Sequence, residues 1–250
     1  MQRMEEDFIN AARDGNIELV NTYIANGVNV NYQTLRPDDD GKWFCTGDTG
    51  LILASRHCNI EVVEMLLECG AHTATKNKYD RTALFVASSQ GHTNIVKMLL
   101  DHAADPNLKD EDGQTSLFAA SAQGHTDVVR MLLEKSADSD VQNKNGWTSL
   151  MVAAFHGHNT LRVLLENGAD PNIKSHHDLT ALTLTTNPMI KLLIENQIRW
   201  NRRKALIMTL TENGYLQSPS LLSSAANESP LRYKNVLGNE RLVRLITSYI

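Results

Sequence analysis

The chain has 250 residues, 42% of them hydrophobic, which is enough apolar material for one elongated domain or two small globular ones. Its net charge of −5 and pI near 6.0 argue against nucleic acid and anionic membranes as partners, because proteins that bind them usually carry a basic footprint. Three cysteines without a CxxC spacing, and an acidic start without an apolar segment, indicate a reducing compartment: the cytoplasm or the nucleus, and not secretion.

A repeat with a period of about 33 residues organises the chain. A Thr-small-Leu phrase opens at Thr49, Thr82, Thr115 and Thr148, always at the same interval, and at Thr180, one position short of that interval. A glycine turn follows with the same period, at Gly91, Gly124 and Gly157, with Cys58 in the equivalent slot. Apolar residues at helical spacing occupy 60–67, 94–100 and 127–133, and Ala-Asp-Pro-Asn at 104–107 and 169–172 begins a loop. Each unit therefore predicts a short helix, a turn, a longer helix and an extended loop.

In period, order and wording these units resemble the ankyrin repeat, over residues 5 to 198. The resemblance implies an all-α solenoid of stacked helix pairs with extended β-turn loops and a helical C-terminal extension. We place repeats near 5–31, 46–76, 77–109, 110–142, 143–174 and 175–198. The first keeps only its helices, and the sixth lacks the glycine turn. Since one helix pair cannot cover its own apolar face, the stacking of neighbours is expected to supply the stability.

Three departures from the family pattern stand out. The family's histidine after the Thr phrase is absent, and we expect Phe85, Phe118 and Met151 to replace its polar contacts by apolar packing. The segment after Gly157 is one residue short, so its second helix should start differently or bulge. Cys58 stands where glycine supplies a positive φ, which predicts a local weak point. We expect the histidines after the glycines, at 92, 125 and 158, to cap helices or to bond nearby backbone.

An insertion of about ten residues separates the first two repeats, at 32–48. It should leave the helix stack intact, because loops tolerate added length. Its aromatic residues Trp43 and Phe44 either fold back on the first repeat or serve as an exposed partner anchor. The carboxylates at 38–40 lack the spacing of a calcium loop, and we expect them to be exposed to solvent. Residues 110–113 match the family's turn between repeats, and we expect their carboxylates to be exposed as well.

The resemblance also implies which positions face a partner: the turn residues beside the Thr phrase and the end of the first helix of each unit. These are Lys78, Tyr79, Arg81, Ser89 and Gln90; Glu111, Asp112, Gln114, Ala122 and Gln123; Lys144, Asn145, Trp147, Phe155 and His156; and His176, His177 and Leu179. Tyr79, Trp147 and Phe155 lead as anchors, because aromatic side chains are favoured at interfaces; the alternative for each is packing against an adjacent turn.

Two turn asparagines, Asn107 and Asn172, follow Asp-Pro in a setting that resembles targets of the asparaginyl hydroxylase acting on ankyrin repeats. Turn formation is the simpler role.

Catalytic and metal sites are not indicated. No phosphate-binding glycine loop, GxSxG elbow or local Cys/His cluster is present, so we expect no enzyme activity, no cofactor and no metal. The expected partner is a protein, with no nucleic acid and no membrane.

Beyond residue 198 the composition changes. Residues 197–250 hold eight Lys and Arg against three Asp and Glu, so they carry +5 and the preceding residues −10. We predict a capping helix at 199–216, a linker at 217–238 and a helix at 239–250. The cations at 202–204 could pair with acidic neighbours, form a nuclear-import patch or contact a partner.

The last segment predicts an amphipathic helix with Leu242, Leu245, Ile246, Tyr249 and Ile250 on one face, too short to be stable alone. It loosely resembles the opening helix of an F-box. It could dock on its own chain, recruit a ubiquitin-ligase adaptor or self-associate, and the chain is expected to be monomeric unless it does the last.

Two functions follow. The first is a non-catalytic scaffold that binds a protein on its groove and turn loops. The alternative is an adaptor that presents such a client to a ubiquitin ligase through its tail.

Overall fold

A computed structural model describes residues 2–34 and 47–212, and the chain divides into two compact units, residues 1–190 and 191–250. The predictions for residues 35–46 and 213–250, which include Trp43, Phe44, the linker and the last helix, lie outside the described residues.

The described residues form helices and no strand, so the all-α prediction is confirmed. The helices are α1 (Gln2–Asp14), α2 (Ile17–Ala25), α3 (Gly50–Arg56), α4 (Ile60–Glu68), α5 (Ala83–Gln90), α6 (Thr93–Asp101), α7 (Ser116–Gln123), α8 (Thr126–Glu134), α9 (Ser149–His156), α10 (Thr160–Glu166), α11 (Ala181–Leu184) and α12 (Pro188–Glu212).

Within residues 1–190 the helices stack in two layers. The inner helices α1, α3, α5, α7, α9 and α11 each contact the next one along, and so do the outer helices α2, α4, α6, α8 and α10. Each inner helix up to α9 also packs on the outer helix that follows it. The side chains between the layers are buried, for example Leu84 and Leu99 in the third repeat and Leu117 and Leu132 in the fourth. The stack therefore has one continuous apolar core, as a solenoid requires.

The repeated threonines explain where the inner helices begin. The hydroxyl oxygens of Thr82, Thr115 and Thr148 accept hydrogen bonds from the backbone N–H three residues on, at 3.2–3.3 Å. Thr49 and Thr180 make the same bond. Each threonine satisfies one of the free N–H groups of the first helical turn, which is worth about 1 kcal/mol.

The glycine turns end the inner helices as predicted. Gly91, Gly124 and Gly157 have φ of 76°, 77° and 74°. Cys58 has a φ of 62°, so a side chain occupies a left-handed conformation there. Other residues adopt this conformation at a cost of about 1–2 kcal/mol.

The apolar replacements for the family's histidine are buried. Phe85, Phe118 and Met151 are at most 7% exposed, which confirms that they pack in the core.

The insertion leaves the stack intact, as expected, since α1 contacts α3 and α2 contacts α4 across it. Its described ends are joined, because the N–H of Thr34 donates to the carbonyl of Asp48 at 3.3 Å and Gln33 Nε2 donates to the carbonyl of Gly47 at 3.0 Å.

The missing residue after Gly157 delays the next outer helix. α6 and α8 begin two residues after their glycines, whereas α10 begins at Thr160, three residues after Gly157, and has seven residues instead of nine. This confirms the predicted change at the helix start.

The C-terminal part differs from the prediction. A boundary was expected between residues 198 and 199, but α12 runs without a break from Pro188 to Glu212. Asn187 Oδ1 accepts from the N–H of Met189, Pro188 takes the first helical position, and no further Gly or Pro interrupts the segment. The predicted sixth repeat and the first part of the predicted capping helix therefore share one helix.

The cations of α12 are exposed or half-buried. No ion pair joins Arg202, Arg203 or Lys204 to another side chain in the described part of the chain, so the expected pairing with acidic neighbours is absent there.

Candidate functional site

Four turns between the repeats share one design. In each turn, the side-chain oxygen of the residue five positions before the threonine accepts two hydrogen bonds. The donors are the backbone N–H groups two and four residues further along the chain. The four acceptors are Asn77, Asp110, Asn143 and Ser175. A backbone N–H from the same residue also donates to the carbonyl four residues on. Each turn is therefore closed on itself and presents its tip side chains in a fixed direction.

Neighbouring turns are bonded to one another. The N–H of Glu111 donates to the carbonyl of Tyr79 at 3.0 Å, and that of Lys144 donates to the carbonyl of Asp112 at 2.9 Å. The N–H of His176 donates to the carbonyl of Asn145 at 3.2 Å. The turns of four successive repeats thus form one rigid ladder.

Longer side chains reinforce the ladder. Lys76 Nζ donates to the carbonyl of Lys109 at 2.7 Å, Lys109 Nζ to that of Gln142 at 3.3 Å, and Gln142 Nε2 to that of Lys174 at 2.9 Å. Each reaches the equivalent residue of the next repeat. We call the four turns, 77–81, 110–114, 143–147 and 175–179, together with the last two residues of α5, α7 and α9, the turn face.

In the third repeat the turn face is basic and aromatic. Lys78 is exposed, and its ammonium lies 4.9 Å from the ring centroid of Tyr79, which is half-buried. The Arg81 guanidinium lies 5.6 Å from the Tyr79 ring and 5.2 Å from the Phe85 ring, while its Nε donates to Asp110 at 3.3 Å. These cation–π contacts hold both cations beside the ring.

In the fourth repeat the turn face is acidic and has no aromatic residue. Glu111 and Asp112 are exposed, whereas Gln114 and Ala122 are half-buried. Asp110 corrects the expectation of solvent-exposed carboxylates at 110–113. It is buried, and its carboxylate is satisfied there: Oδ1 accepts hydrogen bonds from the N–H groups of Asp112 and Gln114, and Oδ2 accepts one from Arg81.

In the fifth repeat four rings follow one another. Trp147 and Phe155 meet edge to face with centroids 5.6 Å apart, Phe155 and His156 do so at 5.1 Å, and His156 stacks on His158 at 5.6 Å. Phe155 is 56% exposed, His156 is exposed and Trp147 is half-buried. Both interpretations of the aromatic residues therefore apply in part: the rings pack on one another and still present a surface.

The remaining candidates lie on the same face. Ser89 is half-buried beside the exposed Gln90, Gln123 is exposed, Lys144 and Asn145 are exposed at the fifth tip, and His176 and His177 are exposed beside the half-buried Leu179 at the sixth. The structure thus joins the turns of repeats three to six, and in the fifth repeat it also brings Phe155 and His156 at the end of α9 to Trp147. The tail residues Leu242, Leu245, Ile246 and Tyr249 lie outside the described residues.

A family model described as ankyrin repeats (3 copies) matches residues 8–110 and 102–175, which together span more than half of the chain. The chain belongs to the ankyrin-repeat family. Members of this family generally mediate protein–protein interactions. A search of curated proteins found no match.

One ankyrin contact that the sequence did not reveal is a polar ladder along the inner helices. His92 Nε2 donates to the carbonyl of Arg56 at 3.2 Å, His125 to that of Ser89 at 3.2 Å and His158 to that of Ala122 at 3.0 Å. Asn59 takes the same place in the second repeat and donates to the carbonyls of Ala12 and Arg13. These bonds confirm that the histidines bond nearby backbone, and they show that the partner belongs to the preceding repeat.

A second such contact joins the second ankyrin repeat to the turn of the third repeat, 77–81. The buried carboxylate of Asp48 accepts two bonds from Arg56, at 2.9 and 3.2 Å, and one from Asn77 Nδ2 at 2.7 Å. At His57, the residue after Arg56, desolvation and then the charges of Arg56 and Arg13 lower the pKa from its ordinary value. Asp48 is the last residue of the region assigned to the insertion, which is why its role was missed.

Asn107 is exposed but engaged. Its Oδ1 accepts from the N–H of Asp138 at 2.8 Å and its Nδ2 donates to the carbonyl of Ser136 at 3.4 Å, so it joins two ankyrin repeats. Asn172 bonds Asp170 of its own turn. Hydroxylation of either residue stays a prediction.

Over the described ranges, no group of three or more His, Cys, Asp or Glu side chains could hold a metal ion. Among the same residues, no helix has the length and apolar character needed to cross a membrane.

Proposed function

We propose that this chain is a non-catalytic scaffold whose turn face binds a protein partner. The observation that carries the proposal is the hydrogen-bonded ladder of four turns, which holds exposed charged and aromatic side chains of four repeats in one rigid row. A surface that is already ordered loses little conformational entropy on binding, which favours affinity.

The side chains on this face suit recognition of a protein. Two aromatic groups lie two repeats apart: Tyr79 with its two cations, and Trp147 with Phe155. The acidic turn of the fourth repeat lies between them. Aromatic and arginine side chains supply most binding hot spots at protein interfaces. An intracellular, reducing setting goes with this proposal, since Cys58 and Cys69 are exposed free thiols.

The test uses Tyr79→Ala, Trp147→Ala and Phe155→Ala, with a partner identified by affinity capture. Each substitution should weaken partner binding by about 2 kcal/mol, roughly thirtyfold, because hot-spot truncations reach that size. Phe155→Ala should cost at most about 1 kcal/mol of stability, the value of its edge-to-face contact.

Phe118→Ala is the matched control. This phenylalanine is 7% exposed in the core of the neighbouring repeat, so its truncation should cost about 3–5 kcal/mol of stability. Unchanged partner affinity in all three turn-face variants, with unchanged melting, contradicts the proposal.

The adaptor function depends on residues 239–250, outside the described residues, and stays a prediction from the sequence. It would use the same turn face to hold the client.

A further inference from the structure

Among the described residues up to 190, the sixth repeat covers the end of the turn face less than the other repeats cover their neighbours. The inner helices α5, α7 and α9 have eight residues each, whereas α11 has four and ends at Leu184. Thr185 continues with an extended backbone, at φ −88° and ψ 137°. Counted from the Thr phrase of each repeat, Leu184 corresponds to Val152 of α9, so α11 has no counterpart for the last helical turn of α9.

Two residues show the effect of this missing turn. Phe155 is 56% exposed, although the residues in its slot of the third and fourth repeats, Ser89 and Ala122, are half-buried and much smaller. A Cβ built on Gly91 or Gly124 would lie 2.6 or 2.9 Å from the histidine of the next repeat, whereas one built on Gly157 meets no described residue within 4 Å. The fifth repeat therefore has an open edge where the others are closed. We call Trp147, Phe155, His156 and Gly157 the open edge.

The open edge is apolar and already fixed in shape. Trp147 and His156 each meet Phe155 edge to face, and His158 holds the end of the ring series through its bond to the carbonyl of Ala122. A large exposed aromatic side chain that is locked by its neighbours can bury apolar area on binding while losing little rotamer freedom.

The charges around the open edge are mainly negative. The turn of the fourth repeat exposes Glu111 and Asp112. It is bonded to the turn of the fifth repeat, because the N–H of Lys144 donates to the carbonyl of Asp112. The turn of the sixth repeat, bonded on the other side, exposes Asp178, whose carboxylate pairs with Lys174 at 3.1 Å, so Glu111 and Asp112 supply most of the negative charge. The turn of the fifth repeat exposes the cation Lys144. Residues 1–196 together carry a net charge of −10. A field of this sign attracts a basic segment and repels an acidic one.

We propose that the open edge receives a bulky apolar side chain from a protein segment whose flanking residues are basic. The proposal rests on the function proposed above and names the chemistry of the partner at one end of the turn face. Tyr79 and its cations, two repeats away, contact a different part of the same partner.

The test selects peptides of about twelve residues from a random display library on the full chain. Such a peptide, when extended, can cross about four turns. We expect the selected peptides to combine Lys or Arg with an aromatic or long aliphatic residue. Synthetic copies should bind Phe155→Ala about tenfold more weakly or worse. Neutralising Glu111 and Asp112 together, to Gln and Asn, should weaken them several-fold, and added salt should do the same, because the attraction is screened.

Other outcomes overturn the inference. These are peptides that are acidic or lack a bulky apolar residue, peptides that bind Phe155→Ala as well as the unchanged chain, or no selected peptide at all. Tyr79→Ala separates the two proposals. Peptides that need Tyr79 but not Phe155 contradict the open edge and leave the turn face as a protein-binding surface, whereas peptides that need neither contradict both.

Discussion

The junctions between the second and fifth repeats differ from the junction between the fifth and the sixth. At the former, a histidine of the later repeat bonds a carbonyl of the earlier inner helix and, in the third-to-fourth and fourth-to-fifth cases, packs against its glycine. At the latter, α11 ends after four residues and no described residue lies against Gly157 where a histidine would lie. The end of an inner helix thus bonds and packs against the next repeat where that repeat is complete. Where the next repeat is shortened, as after α9, the same part of the helix stays exposed.

This difference has an energetic meaning in a stack whose stability is a sum of repeat and interface contributions. A closed junction gains a hydrogen bond of about 0.5–1.5 kcal/mol and the close packing of an imidazole on glycine. At the fifth-to-sixth junction no described histidine packs on Gly157, and Phe155 remains exposed there. The closed junctions therefore gain contacts that the fifth-to-sixth junction lacks, and the exposed Phe155 lies at the latter.

The largest expected effect comes from a matched pair of glycine substitutions. Gly91→Ala and Gly157→Ala introduce the same methyl group at φ of 76° and 74°. Each should cost about 1 kcal/mol for the left-handed conformation. Gly91→Ala should cost about 2 kcal/mol more, because its Cβ would lie 2.6 Å from His125 Nδ1 and would disturb the bond of that ring to Ser89.

Chemical denaturation of the two variants measures the difference. Equal losses of unfolding free energy would show that the packing of His125 on Gly91 adds no cohesion, and the comparison between the junctions would fail.

A smaller effect of opposite sign is expected at Cys58. Cys58→Gly should raise the free energy of unfolding by about 0.5–1 kcal/mol, because it relieves a non-glycine residue at φ 62° and loses part of that gain to the flexibility of glycine. Cys69→Ala is the control, since that exposed cysteine has a φ of −82° and its replacement should change little. A thermal shift that is absent or negative for Cys58→Gly would mean that the turn there carries no strain.

Much of this fold could be predicted from the repeat alone. The constant repeat interval located the helix pairs, and threonine and glycine are local signals whose caps and turns form within a few residues. The shortened segment after Gly157 was likewise visible as a missing residue.

Contacts between repeats were harder to predict, because each partner is a backbone atom in the preceding repeat and depends on the register of the stack. A signal was nevertheless present: Asn59, His92, His125 and His158 form a polar column at the repeat interval, and all four side chains can donate. Asp110 shows the same limit. Its spacing did not reveal that it turns inward, although Asn77, Asn143 and Ser175 in the equivalent slots can all accept turn amides.

The C-terminal helix begins earlier than the predicted residue 199 for a related reason. The end of a sequence repeat marks where the motif stops, whereas a helix can continue past it when the sequence contains no glycine or proline, and α12 contains neither after Pro188. The candidate turn-face residues were grouped by resemblance, and only the structure showed that Phe155 is exposed and that the neighbouring helix α11 is short.

Side-chain oxidation footprinting of the full chain, with and without its captured partner, tests most directly which surface binds. The turn-face account predicts that the partner protects Tyr79, Trp147 and Phe155. Met65, Met98 and Met131, half-buried on the outer helices α4, α6 and α8, should be oxidised equally in both samples. Protection of these methionines together with unchanged oxidation of the three aromatic residues would contradict the account.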